Sequence, residues 1–349
     1  MTELVVNSCG PMTSLQDHGR FGYQRFGVSP SGAMDRRALA MANALVGNPP
    51  ELAAIEFMHL GGSLTASGGK LQLALAGAEC ALTVGGRLIP PRTSFDLNDG
   101  ETLEISAAKA GTFAYLAVGG GFSISPQLGS LSFHLRSKMG GLDGELLRAG
   151  DRLPCLAASP AGSLRQLAAP PTDDEGPIRV IMGPQDDYFT PEAIRTFLTC
   201  SFTVSMQADR MGFQLSGPRI EHAKGFNIVS DGIVEGHIQV PGSGQLIVLM
   251  RDRQTAGGYP KIATVVSADL DRLAQIRPGG TLQFRAVDQA EAVTAARTRK
   301  DWIASLPQWL TPVHPELTTE RLLGANLISG AIDAMHPLVD QSASSGIAD

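Results

Sequence analysis

Glycine and proline interrupt this chain at short intervals, and their spacing constrains the fold more than any other feature. Of the 349 residues, 40 are glycine and 22 are proline, whereas only 5% are aromatic. Both residues favour turns and break helices, so the apolar runs between them stay short. Short apolar runs joined by turns are typical of β-barrels and β-sandwiches. The sequence therefore predicts a mainly β (α+β) fold with a few short helices.

The length of the chain exceeds one ordinary hydrophobic core, so more than one domain is expected. The best candidate linker is the small, polar stretch between Ala157 and Gly176, which contains Ala-Pro-Pro-Thr. Helix signals appear at Ser267 for a short helix over 268–276, and later for helices over about 290–306 and 316–335. We predict an N-terminal β-barrel half (1–165), a linker (166–176), a C-terminal β-barrel half (177–290) and a helical C-terminal extension (291–349).

Charge and cysteine usage exclude several classes of function. A formal charge of −6 and a pI near 5.7 argue against a nucleic-acid-binding surface, which needs a basic stripe. The four cysteines are far apart and lack metal-binding spacing, so free thiols in a reducing compartment are expected. The first residues lack the features of a signal peptide, and no later stretch has membrane-spanning length. We therefore expect a cytoplasmic protein.

The densest group of polar side chains is the segment Asp252–Ile262, which follows the apolar run Gln245–Met250. That run has the length and branching of a buried strand, so the segment is expected to be a loop at a strand end. Gly257 and Gly258 allow positive φ and close approach of a ligand, and their amides could then face an anion. The alternative is a tight hairpin whose charges are merely solvated.

A second polar stretch runs from Gln16 to Asp35 and precedes a predicted helix over 36–46. Asp35 is a candidate N-cap of this helix, and the dipole end would favour anions near Ser31 and Gly32. Asp35 has a plain alternative role as a capping residue only. Asp17 and Arg20 also have an alternative, purely structural role, in which they form an ion pair across a turn.

Several motifs of these two stretches resemble one known family. The motifs are Gln-Asp-His-Gly-Arg-Phe-Gly-Tyr (16–23), Gly-Val-Ser-Pro-Ser-Gly-Ala-Met-Asp (27–35), Asp-Arg-Met-Gly-Phe (209–213), Ile-Gln-Val-Pro (238–241) and Asp-Arg-Gln-Thr-Ala-Gly-Gly-Tyr-Pro-Lys-Ile-Ala (252–263). They resemble the biotin-dependent carboxyltransferase-like family, over roughly residues 3–287. This family contains the C subunit of bacterial 5-oxoprolinase, the second allophanate-hydrolase-type subunit, the antagonist of the sporulation-kinase inhibitor, and the carboxyltransferase domain of urea carboxylase. Ser29, Ala33, Ala256 and His237 depart from its usual pattern, which puts the substrate in doubt more than the fold.

The resemblance implies two cyclophilin-like β-barrels with a cleft between them. It implies a complex with two partners, a smaller, kinase-inhibitor-like B subunit and a lactam-hydrolase-type A subunit. The implied reaction is the ATP-dependent opening of 5-oxo-L-proline to L-glutamate through a phosphorylated or carboxylated amide. ATP would be bound by the complex, with one of the partners as a candidate for its site. The sequence has no biotinylation site, so biotin is not expected on this chain. It has no P-loop either.

Activated-amide chemistry needs positive charge for the anionic group and a proton shuttle to the amide nitrogen. The candidate catalytic residues are Asp35, Asp252 and Lys261, and no metal site is proposed. The candidate substrate-binding residues are Arg20, Ser31, Gly32, Asn43, Arg210, Gln239, Arg253, Gln254, Thr255, Gly257, Gly258 and Tyr259. Two other functions stay open. One is a carboxyltransferase component for urea or another amide that uses carboxybiotin from a partner, and the other is a non-catalytic regulator that binds the kinase-inhibitor-like B subunit.

Overall fold

A computed structural model describes residues 2–156, 163–168 and 176–313, and its secondary structure is mainly β, as predicted. In chain order the strands are β1 (Glu3–Cys9), β2 (Ser14–Gln16), β3 (Ala54–Met58), β4 (Gly62–Ser67), β5 (Leu71–Glu79), β6 (Leu82–Val84), β7 (Arg87–Ile89), β8 (Ser94–Leu97), β9 (Thr102–Ile105), β10 (Ala110–Val118), β11 (Arg152–Pro154), β12 (Arg165–Leu167), β13 (Ile178–Met182), β14 (Phe202–Val204), β15 (Gly212–Ser216), β16 (Asp231–Gly232), β17 (His237–Gln239), β18 (Leu246–Leu249), β19 (Ala256–Gly257), β20 (Lys261–Val265), β21 (Thr281–Leu282), β22 (Phe284–Ala286) and β23 (Leu310–Pro312).

The helices of the described residues are few and mostly short, which also agrees with the prediction. They are α1 (Arg36–Leu45), α2 (Pro191–Thr199), α3 (Leu270–Ala274) and α4 (Gln289–Ser305), with 3-10 turns at Gln24–Phe26, Asp186–Tyr188 and Leu306–Trp309. Local capping explains where α1 and α2 begin, because the Asp35 and Thr190 side chains accept hydrogen bonds from backbone amides of the first turn. No helix among the described residues is both long and apolar enough to cross a membrane.

Two sheets form the N-terminal half. One has the strand order β11-β1-β4-β9-β6-β7 and the other the order β2-β3-β10-β5-β8. The strands alternate buried and partly exposed residues, so apolar side chains such as Leu64, Leu73 and Leu103 meet in a common core. In the second sheet Glu56 of β3 lies opposite Tyr115 of β10, and both are buried. This register places a buried carboxylate beside a buried phenol.

One eight-stranded, nearly closed sheet forms most of the C-terminal half. Its order is β21-β14-β15-β18-β17-β20-β13-β22, and every pair is antiparallel except the parallel pair β13–β22. The predicted buried run before the 252–262 segment is confirmed as β18, at the middle of this sheet. Gln239 of β17 lies opposite Lys261 of β20. The sheet therefore brings a buried amide and a buried ammonium into register.

A single hydrophobic cluster extends from the first half of the chain into the second. It includes Leu39 of α1 and Phe113 of β10 together with Phe213, Val248 and Ile262 of the eight-stranded sheet. Because apolar side chains of both halves share this core, the polar segments around residue 31 and residue 252 are held against each other. The predicted boundaries at 165, 176 and 290 stay predictions.

Some local expectations need correction. The helix that we predicted over 268–276 is shorter, and its N-cap residue is Asp269 instead of Ser267. The Asp269 carboxylate makes no capping hydrogen bond, because it accepts hydrogen bonds from the backbone amide and guanidinium of Arg179. The strand predicted over 281–284 is divided into β21 and β22. β12, at the start of the predicted linker, pairs with β23. The helix predicted over 316–335 lies outside the described residues.

Candidate functional site

Arg210 is the centre of a buried ionic group that joins the two halves. Its Nε and Nη2 atoms donate to the two carboxylate oxygens of Asp252, over 2.8 and 3.0 Å. Its Nη1 atom donates to Glu56 Oε1 over 2.5 Å. Burial alone lowers the pKa of the Arg210 guanidinium, but Asp252 and Glu56 outweigh this effect and raise it. Arg210 is therefore a permanent cation between two carboxylates.

Further hydrogen bonds complete this group, which we call the Arg210 network: Arg210, Asp252, Glu56, Ser31 and Tyr115. Ser31 Oγ donates to Asp252 Oδ1 over 2.6 Å, and Tyr115 OH donates to Glu56 Oε2 over 2.7 Å. Burial and the neighbouring Glu56 raise the pKa of Tyr115. The Gly32 carbonyl accepts a hydrogen bond from Arg210 over 2.8 Å. Both oxygens of Asp252 are thus engaged, a geometry that favours a positioning role over the proton transfer that we predicted for it.

Asp35 lies at a different place from Asp252. It caps α1 through a 2.9 Å hydrogen bond from the Ala38 amide, and its second oxygen accepts a 2.7 Å hydrogen bond from Gln275. Burial, and then the nearby Asp271 carboxylate, raise the pKa of Asp35 to about 7. Asp35 lines a cavity of about 910 Å³ that Asp252 and Lys261 do not line. The structure therefore does not bring the three predicted catalytic side chains together in one cavity.

Lys261 lies in the eight-stranded sheet and is fully buried, with 0% of its side chain exposed. Its Nζ atom contacts Asp231 Oδ2 over 2.7 Å, although 53% of the Asp231 side chain is exposed. Opposite Lys261 is Gln239, whose Nε2 atom is buried and has no hydrogen-bond acceptor in the described part of the chain. A buried ammonium and a free amide donor therefore face one region.

Two more nitrogen-bearing side chains, Arg253 and His237, complete what we call the Lys261 cluster: Lys261, Gln239, Arg253, His237 and Asp231. Arg253 is buried, donates from Nη1 to the Met250 carbonyl over 3.2 Å, and leaves Nε without an acceptor among the described residues. Burial lowers the pKa of His237 to about 4, and Lys261 and Arg253 contribute to this shift. His237 is therefore neutral near pH 7, and its Nδ1 atom accepts from the Val234 amide over 3.2 Å.

The glycine pair works differently from our expectation. Neither Gly257 nor Gly258 has a positive φ, so the left-handed conformation that we considered for these glycines is not adopted. Gly257 belongs instead to the two-residue strand β19, which pairs with β16. A Cβ atom at Gly257 would lie 2.6 Å from Gln239 Nε2. A side chain at position 257 would therefore displace the Gln239 amide.

Of the other predicted binding residues of this loop, Gln254 and Tyr259 lie at the surface, whereas Thr255 and Gly258 form backbone hydrogen bonds. Gln254 and Tyr259 are exposed, and Tyr259 has 40% of its surface accessible. The Thr255 carbonyl accepts a hydrogen bond from the Ile233 amide, and the Gly258 carbonyl accepts one from the Ile228 amide. Gln254 and Tyr259 are thus available at the surface of the loop that carries Arg253.

Arg20 and Asn43 have their own surroundings. Arg20 is 1% exposed and donates from Nη2 to the Ser132 carbonyl, while its Nε and Nη1 atoms lack acceptors within the described residues. The alternative of an Asp17–Arg20 ion pair is wrong, because Asp17 instead accepts hydrogen bonds from Gly19, Ser130, Leu131 and Ser132. Asn43 donates to the carbonyl of Leu52 over 2.7 Å, which holds the loop after α1.

Sequence reasoning missed four residues of these groups: Glu56, Tyr115, Asp231 and Gln275. Glu56 carried a signal that we did not use, because a lone carboxylate in the strand Ala-Ile-Glu-Phe-Met must find a partner when it is buried. Asp231 has no such signal in its local sequence. The groups of His, Cys, Asp and Glu in the described ranges contain no cluster of three or more that could hold a metal ion.

Comparison with protein families and curated proteins gives consistent matches. Residues 26–286 match the family model described as carboxyltransferase domain, subdomain A and B. The chain is 36% identical to the C subunit of 5-oxoprolinase from Haemophilus influenzae, over 83% of this chain and 93% of that protein. It is 34% identical to the C subunit of 5-oxoprolinase from Escherichia coli, over 87% of this chain and 97% of that protein. Urea amidolyase of Lachancea kluyveri is 32% identical over 80% of this chain, but the match covers 16% of that longer protein.

Comparison with solved structures gives the same fold. The crystal structure of TTHA0988 has a TM-score of 0.74 and 36% identity, and the match covers 82% of this chain and 55% of that one. The urea carboxylase of Kluyveromyces lactis has a TM-score of 0.80 and 27% identity, over 91% of this chain and 30% of that one. This chain therefore spans about half the length of the first and less than a third of the second.

Proposed function

Because the chain belongs to the carboxyltransferase domain family, subdomains A and B, we propose that it is the C subunit of an ATP-dependent 5-oxoprolinase complex, a heteromeric hydrolase that opens 5-oxo-L-proline to L-glutamate. One observation carries this proposal over its alternatives. The relatives named as the C subunit of 5-oxoprolinase are matched over 93% and 97% of their own length, whereas the urea amidolyase is matched over 16%. The match therefore covers nearly the full length of these C subunits, which supports a role as a separate subunit of such a complex.

The Lys261 cluster supports chemistry at an amide carbonyl. When a lactam is activated and opened, negative charge develops on the oxygen of the former carbonyl group, and preorganised donors stabilise that charge. The Gln239 amide and the Arg253 guanidinium, which each keep a buried nitrogen without an acceptor among the described residues, supply such donors. The Lys261 ammonium, which already contacts a carboxylate, supplies positive charge for an anionic group of the substrate. Water adds to the carbonyl carbon, the ring C–N bond breaks, and the nitrogen takes a proton to become the amine of glutamate. ATP is hydrolysed to ADP and phosphate in the same cycle.

The Arg210 network has a supporting part in this proposal. It locks the Asp252 side chain, and the next residue along the chain is Arg253. Ser31 belongs to this network, and the Gly32 carbonyl accepts a hydrogen bond from Arg210. These residues therefore fix the loop that presents Arg253, and they act through position rather than by contact with the reacting atoms.

We propose that ATP binds with the help of a partner protein. The donors left without acceptors in the Lys261 cluster, Gln239 Nε2 and Arg253 Nε, fit one carboxylate or carbonyl group rather than a triphosphate. A kinase-inhibitor-like partner of the B type and a lactam-hydrolase-type partner of the A type would supply the nucleotide site and the remaining groups. Biotin is not attached to this chain in the proposal.

A second candidate function is carboxyl transfer to urea or a related amide, because urea amidolyase is 32% identical over most of this chain. Charge stabilisation at a carbonyl oxygen serves both reactions, so the cluster does not separate them. The need for a carrier does separate them, because carboxyl transfer requires a biotinylated partner and lactam opening through a phosphorylated amide does not.

The deciding experiment measures ATP-dependent glutamate release from 5-oxo-L-proline. The chain is purified with its A-type and B-type partners, and the assay is run with and without this chain and with avidin added. Release that requires the chain and resists avidin is the expected result. Release that avidin abolishes would favour carboxyl transfer from biotin. A stable complex with no release under either condition would contradict an enzymatic role and favour a regulatory one.

Lys261→Met tests the role of the cluster. Loss of the positive charge that faces the anionic group of the substrate is expected to lower kcat/KM by about 10²- to 10³-fold. The matched control is Lys70→Met, because Lys70 also pairs with one aspartate, Asp96, but stands at the surface. The control is expected to keep its activity within about twofold. Equal activity of the two variants would remove Lys261 from the mechanism.

A further inference from the structure

The contact between Lys261 and Asp231 has an unusual distribution of burial. The ammonium is completely buried within a sheet, whereas its partner carboxylate is more than half exposed on a separate segment. We call residues 224–235 the strap. Asp231 reaches from the strap to Lys261 Nζ and closes the cluster from outside.

Few contacts of the main chain hold the strap in this position. Asp231 and Gly232 pair with Gly257 and Ala256 in a two-residue ladder. The Ile228 and Ile233 amides donate to the carbonyls of Gly258 and Thr255. From outside the 254–259 loop, the Gln24 side chain donates to the Ile233 carbonyl over 2.7 Å. The two ends of the strap are held by ion pairs, Lys224 with Asp187 and Glu235 with the buried Arg251. The backbone hydrogen bonds of the segment between these ends go mainly to the loop that carries Arg253.

The strap also exposes apolar side chains rather than burying them all. Ile233 is buried, but Val229 is 92% exposed, and Phe226 and Val234 are also largely exposed. A short ladder with little apolar burial has a low cost of local opening. The Asp231 carboxylate can therefore leave Lys261 without disturbing the core of the sheet.

Two donors of the Lys261 cluster are unpaired within the described residues, although the Glu235 carboxylate, which also has an unpaired buried oxygen, acts on Arg253. Gln239 Nε2 and Arg253 Nε are both buried without an acceptor in the part of the chain that the structure describes. The pKa of His237 is lowered partly by the charges of Lys261 and Arg253, so this side chain is neutral. Asp231 satisfies Lys261 alone among these groups. A second anion would satisfy more of these donors than Asp231 does.

We propose that the Asp231 carboxylate occupies the place of a ligand carboxylate on Lys261, and that the ligand displaces it. Asp231 is then a specificity-determining residue, since a neutral molecule offers Lys261 no carboxylate in exchange for the ion pair that it breaks. The ligand class is a small planar carboxylate. This inference rests on the proposed function for the identity of the ligand, and it applies equally to the carboxylate of 5-oxo-L-proline and to bicarbonate.

The test compares three probes on the full chain purified with its partners: 5-oxo-L-proline, its neutral analogue 2-pyrrolidinone, and bicarbonate. Their dissociation constants are measured by calorimetry for the wild type and for Asp231→Asn. Removing the competing charge is expected to tighten binding of 5-oxo-L-proline by about threefold to tenfold, while 2-pyrrolidinone stays unchanged. Tightening of bicarbonate alone would identify the carboxyl donor as the displacing group.

Matched variants make this comparison specific. Asp96→Asn removes an aspartate that pairs with Lys70 outside the strap, and it is expected to leave all three constants unchanged. Lys261→Met is expected to abolish the preference for 5-oxo-L-proline over 2-pyrrolidinone. Weaker or unchanged binding of both anions to Asp231→Asn would overturn the proposal, as would an equal gain for 2-pyrrolidinone.

A second measurement follows the accessibility of Lys261 directly. Reductive methylation of lysines in the wild-type protein, followed by mass spectrometry, reports how often Lys261 is exposed. We expect Lys261 to react faster in Asp231→Asn and to be protected by 5-oxo-L-proline. Because this readout needs no turnover, protection without glutamate release would refute the proposed function and keep the displacement. Glutamate release without any protection of Lys261 would support the proposed function and refute the displacement.

Discussion

The Arg210 network and the Lys261 cluster both bury charge, but they differ in how completely that charge is satisfied. Every polar atom of the Arg210 guanidinium donates to an acceptor, and both Asp252 oxygens accept. In the Lys261 cluster, by contrast, Gln239 Nε2 and Arg253 Nε have no acceptor among the described residues. Buried donors are costly to leave unpaired, so they persist where another interaction offsets that cost.

This difference separates a structural site from a ligand site within one molecule. A saturated network has no capacity to bind another group, and its function is to hold two chain segments together. An unsaturated cluster retains hydrogen-bonding capacity that a ligand can use. Arginine and aspartate occur in both places, so the residue types alone do not distinguish them.

The largest expected effect comes from Arg210→Met, which tests the structural half of the comparison. The substitution leaves the Asp252 and Glu56 carboxylates buried without their cation, and breaking such a buried pair costs about 3–5 kcal/mol. The free energy of unfolding, measured by urea denaturation, is expected to fall by that amount. Restoring charge balance with Glu56→Gln and Asp252→Asn in the same chain should recover part of the loss.

Arg285→Met is the matched control, because Arg285 pairs with Glu291 at the surface. Exposed ion pairs contribute roughly 0–1 kcal/mol, so this variant should remain close to the wild type. If Arg210→Met cost no more than the control, the network would not be the structural centre that its contacts indicate.

Sequence patterns predicted what depends on neighbours in the chain. Asp35 as the cap of α1, the strand β18 and the helix α4 each follow from signals within about one turn or one strand. The Arg210 network could not be predicted from such local signals, because Arg210 and Glu56 are 154 positions apart. Likewise, the motif around Lys261 drew attention to the ammonium, but its partner Asp231 lies 30 positions away in a stretch without such a motif. Such pairs become visible only when the sheets bring them together.

The next effect in size concerns Asp35, a buried carboxylate whose pKa is raised by burial and by the neighbouring Asp271. Its pKa is about 7 in the folded protein, above its ordinary value of 3.8. The folded state therefore keeps the proton at pH values where the unfolded state has lost it. The stabilising contribution is fully present below about pH 4 and is lost as the pH rises through 7, in total on the order of 2–4 kcal/mol.

Asp35→Asn removes this titration and keeps an N-cap residue. The difference in the free energy of unfolding between pH 5 and pH 8 is expected to shrink by roughly 2 kcal/mol. Asp288→Asn is the control, since Asp288 caps α4 in the same way at an exposed position. A pH dependence of the Asp35 variant that equals that of the wild type would show that Asp35 titrates normally.

The smallest expected effect tests the ligand half of the comparison with a single methyl group. In Gly257→Ala the new Cβ atom would lie 2.6 Å from Gln239 Nε2, the end of a flexible side chain, so the Gln239 amide must move. The free energy of unfolding is expected to change by less than about 1 kcal/mol. The dissociation constant for 5-oxo-L-proline is expected to rise about threefold to tenfold, because one donor leaves the cluster.

Gly258→Ala is the matched control, because its Cβ atom would meet the Ile228 carbonyl at an ordinary 3.5 Å. If both alanine variants bound 5-oxo-L-proline equally well, the unpaired Gln239 amide would not be a ligand donor, and the contrast between the Arg210 network and the Lys261 cluster would rest on Arg253 and Lys261 alone.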